Sequence, residues 1–70
     1  MRRIFERVDL LEQFPEMGRR VPEMRQLPYR ELIIAPCRII YRLEGDKALV
    51  IFVTRGEREL KPSEIIKADL

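Results

Sequence analysis

"LPYRELIIAPCRIIYRLEGDKALVIFVTRGER", residues 27–58, decides the fold. Three runs rich in Ile, Val, Leu, Tyr and Phe, about 29–34, 37–44 and 47–54, read as strands. Ala35-Pro36 and Gly45-Asp46 are the turns between them, and Gly45 supplies the positive φ that a two-residue hairpin takes at its first central position. A two-residue turn at 45–46 sets Glu44 opposite Lys47, a favourable cross-strand charge pair. Alternation then gathers Leu32, Ile34, Cys37, Ile39, Tyr41, Leu43, Ala48, Val50 and Phe52 on one apolar face. The other face carries Tyr29, Glu31, Ile33, Arg38, Ile40, Arg42, Leu49, Ile51, Val53 and Arg55. In this register Arg38 and Arg42 are expected on an open surface. Ile33, Ile40, Leu49 and Ile51 beside them form the expected partner interface, because so much exposed aliphatic area is unusual on a monomer. Arg30 falls on the core side and is read as structural.

Working outward, residues 2–14 place Ile4, Val8 and Leu11, with Phe5 and Phe14 close by, at helical spacing. Pro15 stops that helix, since the residue before a proline avoids the α region. Ile4, Val8 and Leu11 are expected to sit on the sheet over Ile39, Tyr41, Val50 and Phe52. Residues 15–28 hold three prolines and one glycine and read as a long loop with extended pieces, which packs or binds. Residues 62–69 read as a short helix opened by Pro62, with Glu64 in its first turn. The expected fold is α+β, one domain over residues 1–70: an N-terminal helix packed on a three-stranded antiparallel sheet, with a short C-terminal helix.

Seventy residues with 46% hydrophobic and 37% charged side chains fit a small globular domain rather than disorder. The net charge is only +2, yet eleven of the fourteen basic residues are arginine, whose planar fork suits phosphate or carboxylate. Without histidine, and with Cys37 alone, the chain lacks the commonest general base and metal ligand and any internal disulfide. No metal or cofactor is expected. No stretch approaches a membrane span, no signal-peptide core opens the chain, and the default location is the cytoplasm.

"FPEMGRRVPEMRQLPYRELIIAPCRIIYRLEGD" followed by "VIFVTRGERE" resembles the RelE/ParE superfamily of bacterial type II toxins. The carrying pieces are Phe14 to Glu23, the hairpin Arg30 to Leu43, and Val53 to Arg58. The resemblance implies a toxin neutralised by a cognate antitoxin protein, in modules of the kind that serve plasmid stabilization. Relative to the family pattern the N-terminal strand and first helix are missing, so the uncovered surface is expected to be closed in a homodimer or an antitoxin complex.

By position, Arg38 matches the family's hairpin arginine and Arg58 the arginine after the last strand. Arg38, Arg42, Arg55 and Arg58 are therefore the expected target- or phosphate-binding residues. In the superfamily's RNA-cutting members such arginines hold the scissile phosphate, which is chemically sensible because charge builds there. Against that reading, Arg55 stands where many members have histidine, Tyr29 and Glu31 stand where those members are basic, and Glu64 lies near the place of their late tyrosine. Glu31, Glu57 and Glu59 are the only nearby candidate bases. The preferred reading is a ParE-like inhibitor that binds its target, DNA gyrase in that branch. The alternatives are a RelE-like ribosome-dependent mRNA endoribonuclease, or a decayed member that only self-associates or binds antitoxin.

Overall fold

A computed structural model describes residues 2–56 and 58–70; of residues 2–5, 7 and 8 the backbone alone is described. The chain is α+β. Helix α1 (Arg2–Gln13) leads to a short strand β1 (Arg19–Arg20) and a 3-10 turn (Pro22–Met24). Strands β2 (Tyr29–Ile34), β3 (Cys37–Glu44) and β4 (Lys47–Arg55) follow, and helix α2 (Pro62–Asp69) closes the chain. The sheet is antiparallel in the order β1-β2-β3-β4. It has four strands rather than the expected three, because Arg19 and Arg20 of the long loop pair with Glu31 and Arg30.

Both turns are as expected. Ile34 pairs with Cys37, Glu44 pairs with Lys47, and Gly45 has φ 65°. The register from the second turn then breaks. Tyr41 pairs with Val50, but Ile40 pairs with Phe52, so Ile51 is an extra residue on β4. Such a bulge reverses which face each later side chain takes. Phe52 therefore leaves the α1 side and packs in the opposite core, while Val53 and Arg55, opposite Ile39 and Cys37, move to the α1 side.

Beneath α1, Leu11 packs with Leu32, Ile34, Ile39 and Tyr41, and Leu43 and Ala48 flank them. The expected contacts of Ile4 and Val8 lie outside the described side chains. Val50, expected beneath the helix, is exposed.

The opposite face is not open. Val21, Met24, Tyr29, Ile40, Leu60 and Ile65 form a second core there, with Leu27, Ile51 and Phe52 packed against it. The 3-10 turn and α2 supply that cover, each buried aliphatic contributing about 1.5–3 kcal/mol. The expected partner interface is corrected accordingly: Ile33 and Leu49 are exposed, Ile40 is completely buried, and Ile51 is half-buried against the core.

Candidate functional site

The sheet face opposite α1 carries a charged cluster built from four segments. Glu31 on β2 and Arg38 on β3 share that face across the Ala35-Pro36 turn. Arg19 on β1 lies directly opposite Glu31. Glu23 reaches in from the 3-10 turn.

Arg38 is the hub. Its Nε donates to Glu31 Oε1 at 2.9 Å and its Nη2 donates to the same oxygen. Nη1 and Nη2 donate to the two carboxylate oxygens of Glu23 at 2.9 and 3.0 Å, and Nη1 also meets the Arg58 carbonyl at 3.4 Å. A guanidinium has five N–H donors, and each has an acceptor within the protein. Only 6% of Arg38 is exposed. The expectation that Arg38 stands on an open face is overturned, because the 3-10 turn folds over it and brings Glu23.

The carboxylates are equally engaged. Glu31, whose side chain has no exposed surface, also accepts from Arg19 Nε at 2.6 Å. Glu23 Oε2 accepts the Leu60 N–H at 3.1 Å. The Arg38 hydrogen bonds, helped by that amide, hold the Glu23 carboxyl down at about 2, well below its ordinary 4.5. The same pairing, Glu23 first, pushes the Arg38 pKa up. Among the described residues no buried side-chain polar atom lacks a hydrogen-bond partner. A carboxyl held this low is a poor proton acceptor, so Glu23 is not poised as a general base, and both oxygens of Glu31 are taken by Arg19 and Arg38. Glu59 is exposed, and Glu57 lies outside the described residues.

Arg42 is tied down as well. Its Nε donates to both oxygens of Asp69 at the end of α2, 3.1 and 3.0 Å away, and Asp69 also accepts from the Tyr29 hydroxyl at 2.9 Å. Burial, then the Asp69 contact, raises the Tyr29 pKa. Arg30 donates to the Gly18 carbonyl at 2.8 Å and tethers the loop, the structural part expected of it.

Arg58 and Arg55 differ in placement. Arg55 ends β4 and is exposed, Gly56 turns the chain by donating its N–H to the Pro36 carbonyl at 2.7 Å, and the Arg58 N–H meets the Arg55 carbonyl at 3.3 Å. The Arg58 side chain is half-exposed and bonded to Glu64. The expected site residues therefore divide: Arg38 is internal, Arg42 is largely committed to Asp69, and Arg55 and Arg58 border one turn at the surface. A hollow of about 630 Å³ lined by Phe14, Pro15, Met17 and Leu43 lies at the other end of the sheet, by the Gly45 turn.

Nothing in the sequence marks Glu23 as a partner of Arg38 or Asp69 as a partner of Arg42 and Tyr29. The Glu31–Arg38 pair was within reach, since both belong to one face two positions apart across a recognised hairpin. Glu23, by contrast, arrives on a loop whose path no periodicity dictates.

A fold of two helices about a small antiparallel sheet with an arginine-centred cluster is a general class and fits many activities. The family comparison narrows it. The model for the ParE toxin of the type II toxin–antitoxin system parDE matches residues 1–60, and the chain belongs to that family. Searches of curated proteins and of solved structures found no match. Membership makes the chain a toxin-type member of the RelE/ParE superfamily, with an antitoxin as the implied partner. Among the described residues no helix is long and apolar enough to cross a membrane.

Proposed function

We propose that this chain is a toxin that arrests growth by gripping its target, DNA gyrase, rather than by cutting RNA, and that a cognate antitoxin neutralises it in the cytoplasm. One observation carries the reading: every N–H of Arg38 already has a protein acceptor, two carboxylates among them. A scissile phosphate at that position would have to displace Glu23 or Glu31 and would meet their negative charge. The absence of histidine from the chain supports the same conclusion.

Contact with the target falls to the arginines at the surface. Arg55 and Arg58 border the Gly56 turn, where planar guanidiniums suit acidic side chains of a target or antitoxin. Arg42 is a lesser contributor because its side chain is less exposed than that of Arg58. Exposed Ile33 adds apolar contact on the face that holds Arg38.

Inducible expression in bacteria, with growth and a DNA-damage reporter followed together, tests the proposal. Growth arrest with reporter induction, both suppressed by co-expression of the neighbouring open reading frame, is the expected result. Arrest without reporter induction, or no arrest from a soluble folded chain, overturns it.

A further inference from the structure

Among the described residues, none between Arg55, the end of β4, and Pro62, the start of α2, lies in a helix or strand. Arg58 stands in that link with its side chain half-exposed. An irregular link keeps one shape only where its backbone groups find fixed partners. Here the buried charged cluster and the neighbouring turn supply them. The Leu60 N–H donates to Glu23 Oε2 at 3.1 Å, and the Arg58 carbonyl accepts from Arg38 Nη1 at 3.4 Å. Gly56 donates to the Pro36 carbonyl at 2.7 Å. The Arg38 stem also lies close under Gly56, where an added Cβ would come 3.8 Å from Arg38 Cγ.

We infer that Glu23 and Arg38 are positioning residues, which hold the backbone on both sides of Arg58 so that its guanidinium is presented to the target in one place. The inference rests on the proposed function, in which Arg58 is a contact. The shared oxygen of Glu23 carries it: Oε2 accepts Arg38 Nη1 and the Leu60 amide together, so the sheet, the 3-10 turn and the link meet at one atom. Arg55 does not depend on this mount, because it pairs with Cys37 inside the sheet. Arg58 does. Its side chain is bonded to Glu64 in the first turn of α2, and Leu60 leads into that helix.

A buried ionic cluster adds little net stability over an apolar one, but its hydrogen bonds are directional. Here they run to the link. Arg38 has no donor left for a ligand, yet it serves the surface grip through the backbone it holds. A grip already in its bound shape avoids an ordering cost on binding. If loss of the mount lowers that shape to about a tenth of the population, the apparent Kd rises about tenfold.

The test is a double-mutant cycle on the full chain, with purified DNA gyrase as the probe and Kd as the readout. Glu23→Ala should weaken binding about tenfold. In an Arg58→Ala background it should weaken binding by less than about twofold, because its effect passes through Arg58. Glu23→Ala that binds like the parent, or that weakens binding equally in both backgrounds, overturns the inference. Backbone amide exchange read by NMR is the second arm and needs no target. The Arg58 amide, which bonds to the Arg55 carbonyl and not to Glu23, should exchange at least about tenfold faster in Glu23→Ala, with Ile39 and Ile40 rising less. Equal rises in the sheet and the link overturn the inference and leave Glu23 a general stabiliser. A parent chain that does not bind gyrase sinks the proposed target, and the exchange arm then decides the positioning claim alone. If Glu23→Ala fails to fold, Glu23→Gln takes its place in both arms, and an unchanged Arg58 amide in that variant overturns the inference.

Discussion

Arg38 and Glu23 meet in a two-point contact, Nη1 to Oε2 at 2.9 Å and Nη2 to Oε1 at 3.0 Å, that fastens the loop before β2 onto the sheet. The same guanidinium holds Glu31, so one side chain joins a strand, its hairpin neighbour and a 3-10 turn. Removing one member of such a buried group leaves the others charged and unpaired.

Arg38→Ala should therefore destabilise the fold by roughly 3–5 kcal/mol, measured by urea denaturation. Arg38→Lys should recover little of it, because a single ammonium cannot reach the acceptors that the guanidinium spans. Arg58→Ala, at a half-exposed position, should cost under about 1 kcal/mol. Equal stability of Arg38→Ala and the parent chain would contradict the network.

Acid should loosen the same contact. Glu23 titrates at about 2 in the fold against an ordinary 4.5, a depressed carboxyl. Its contribution is fully present above pH 4.5 and is lost as pH falls from 4.5 towards 2. The loss is on the order of 2–3 kcal/mol. Glu23→Gln should be less stable than the parent at neutral pH and should show a flatter stability profile across that window. Parallel profiles would show that Glu23 contributes nothing to acid sensitivity.

Gly18 and Tyr41 form a second clasp. The Tyr41 hydroxyl accepts the Gly18 N–H at 2.8 Å and donates to the Pro15 carbonyl at 2.9 Å, deep enough that burial raises the tyrosine's pKa. Tyr41→Phe leaves a buried amide without its acceptor and should cost about 1–3 kcal/mol. Gly18→Ala should cost at least as much, because its Cβ would lie 2.6 Å from the Glu31 carbonyl, a backbone atom that cannot swing away. Thermal melts of the two variants check both.

Asp69 anchors α2 to the sheet through Tyr29 and Arg42. Asp69→Ala should raise amide exchange in residues 62–69 while leaving β2 and β3 protected, since the Ile40 and Tyr41 cores remain. Uniform loss of protection would mean that α2 and the sheet unfold as one unit.

Much of this architecture is legible in the chain. Gly45-Asp46 and Ala35-Pro36 announce their turns, and turn length dictates the near register. α2 is marked by Pro62 and Glu64. What escapes is whatever depends on tertiary arrangement. The bulge at Ile51 sits in an unbroken aliphatic run with no glycine or charge to flag it, so the faces of Phe52, Val53 and Arg55 reverse without warning. The partners of Arg38 escape for the same reason. Glu23 is fifteen residues away on a proline-rich loop, and only the closed fold shows that the loop covers the arginine row.

Arg38 braces the fold and has no grip left for a phosphate. The most direct test of that is to incubate purified chain with translating ribosomes and map mRNA 5′ ends, using a preparation shown to arrest growth when expressed. The expected result is a pattern of ends identical to that without protein. Discrete new ends that disappear with the folded Arg58→Ala variant would contradict it and restore the arginines to a catalytic role.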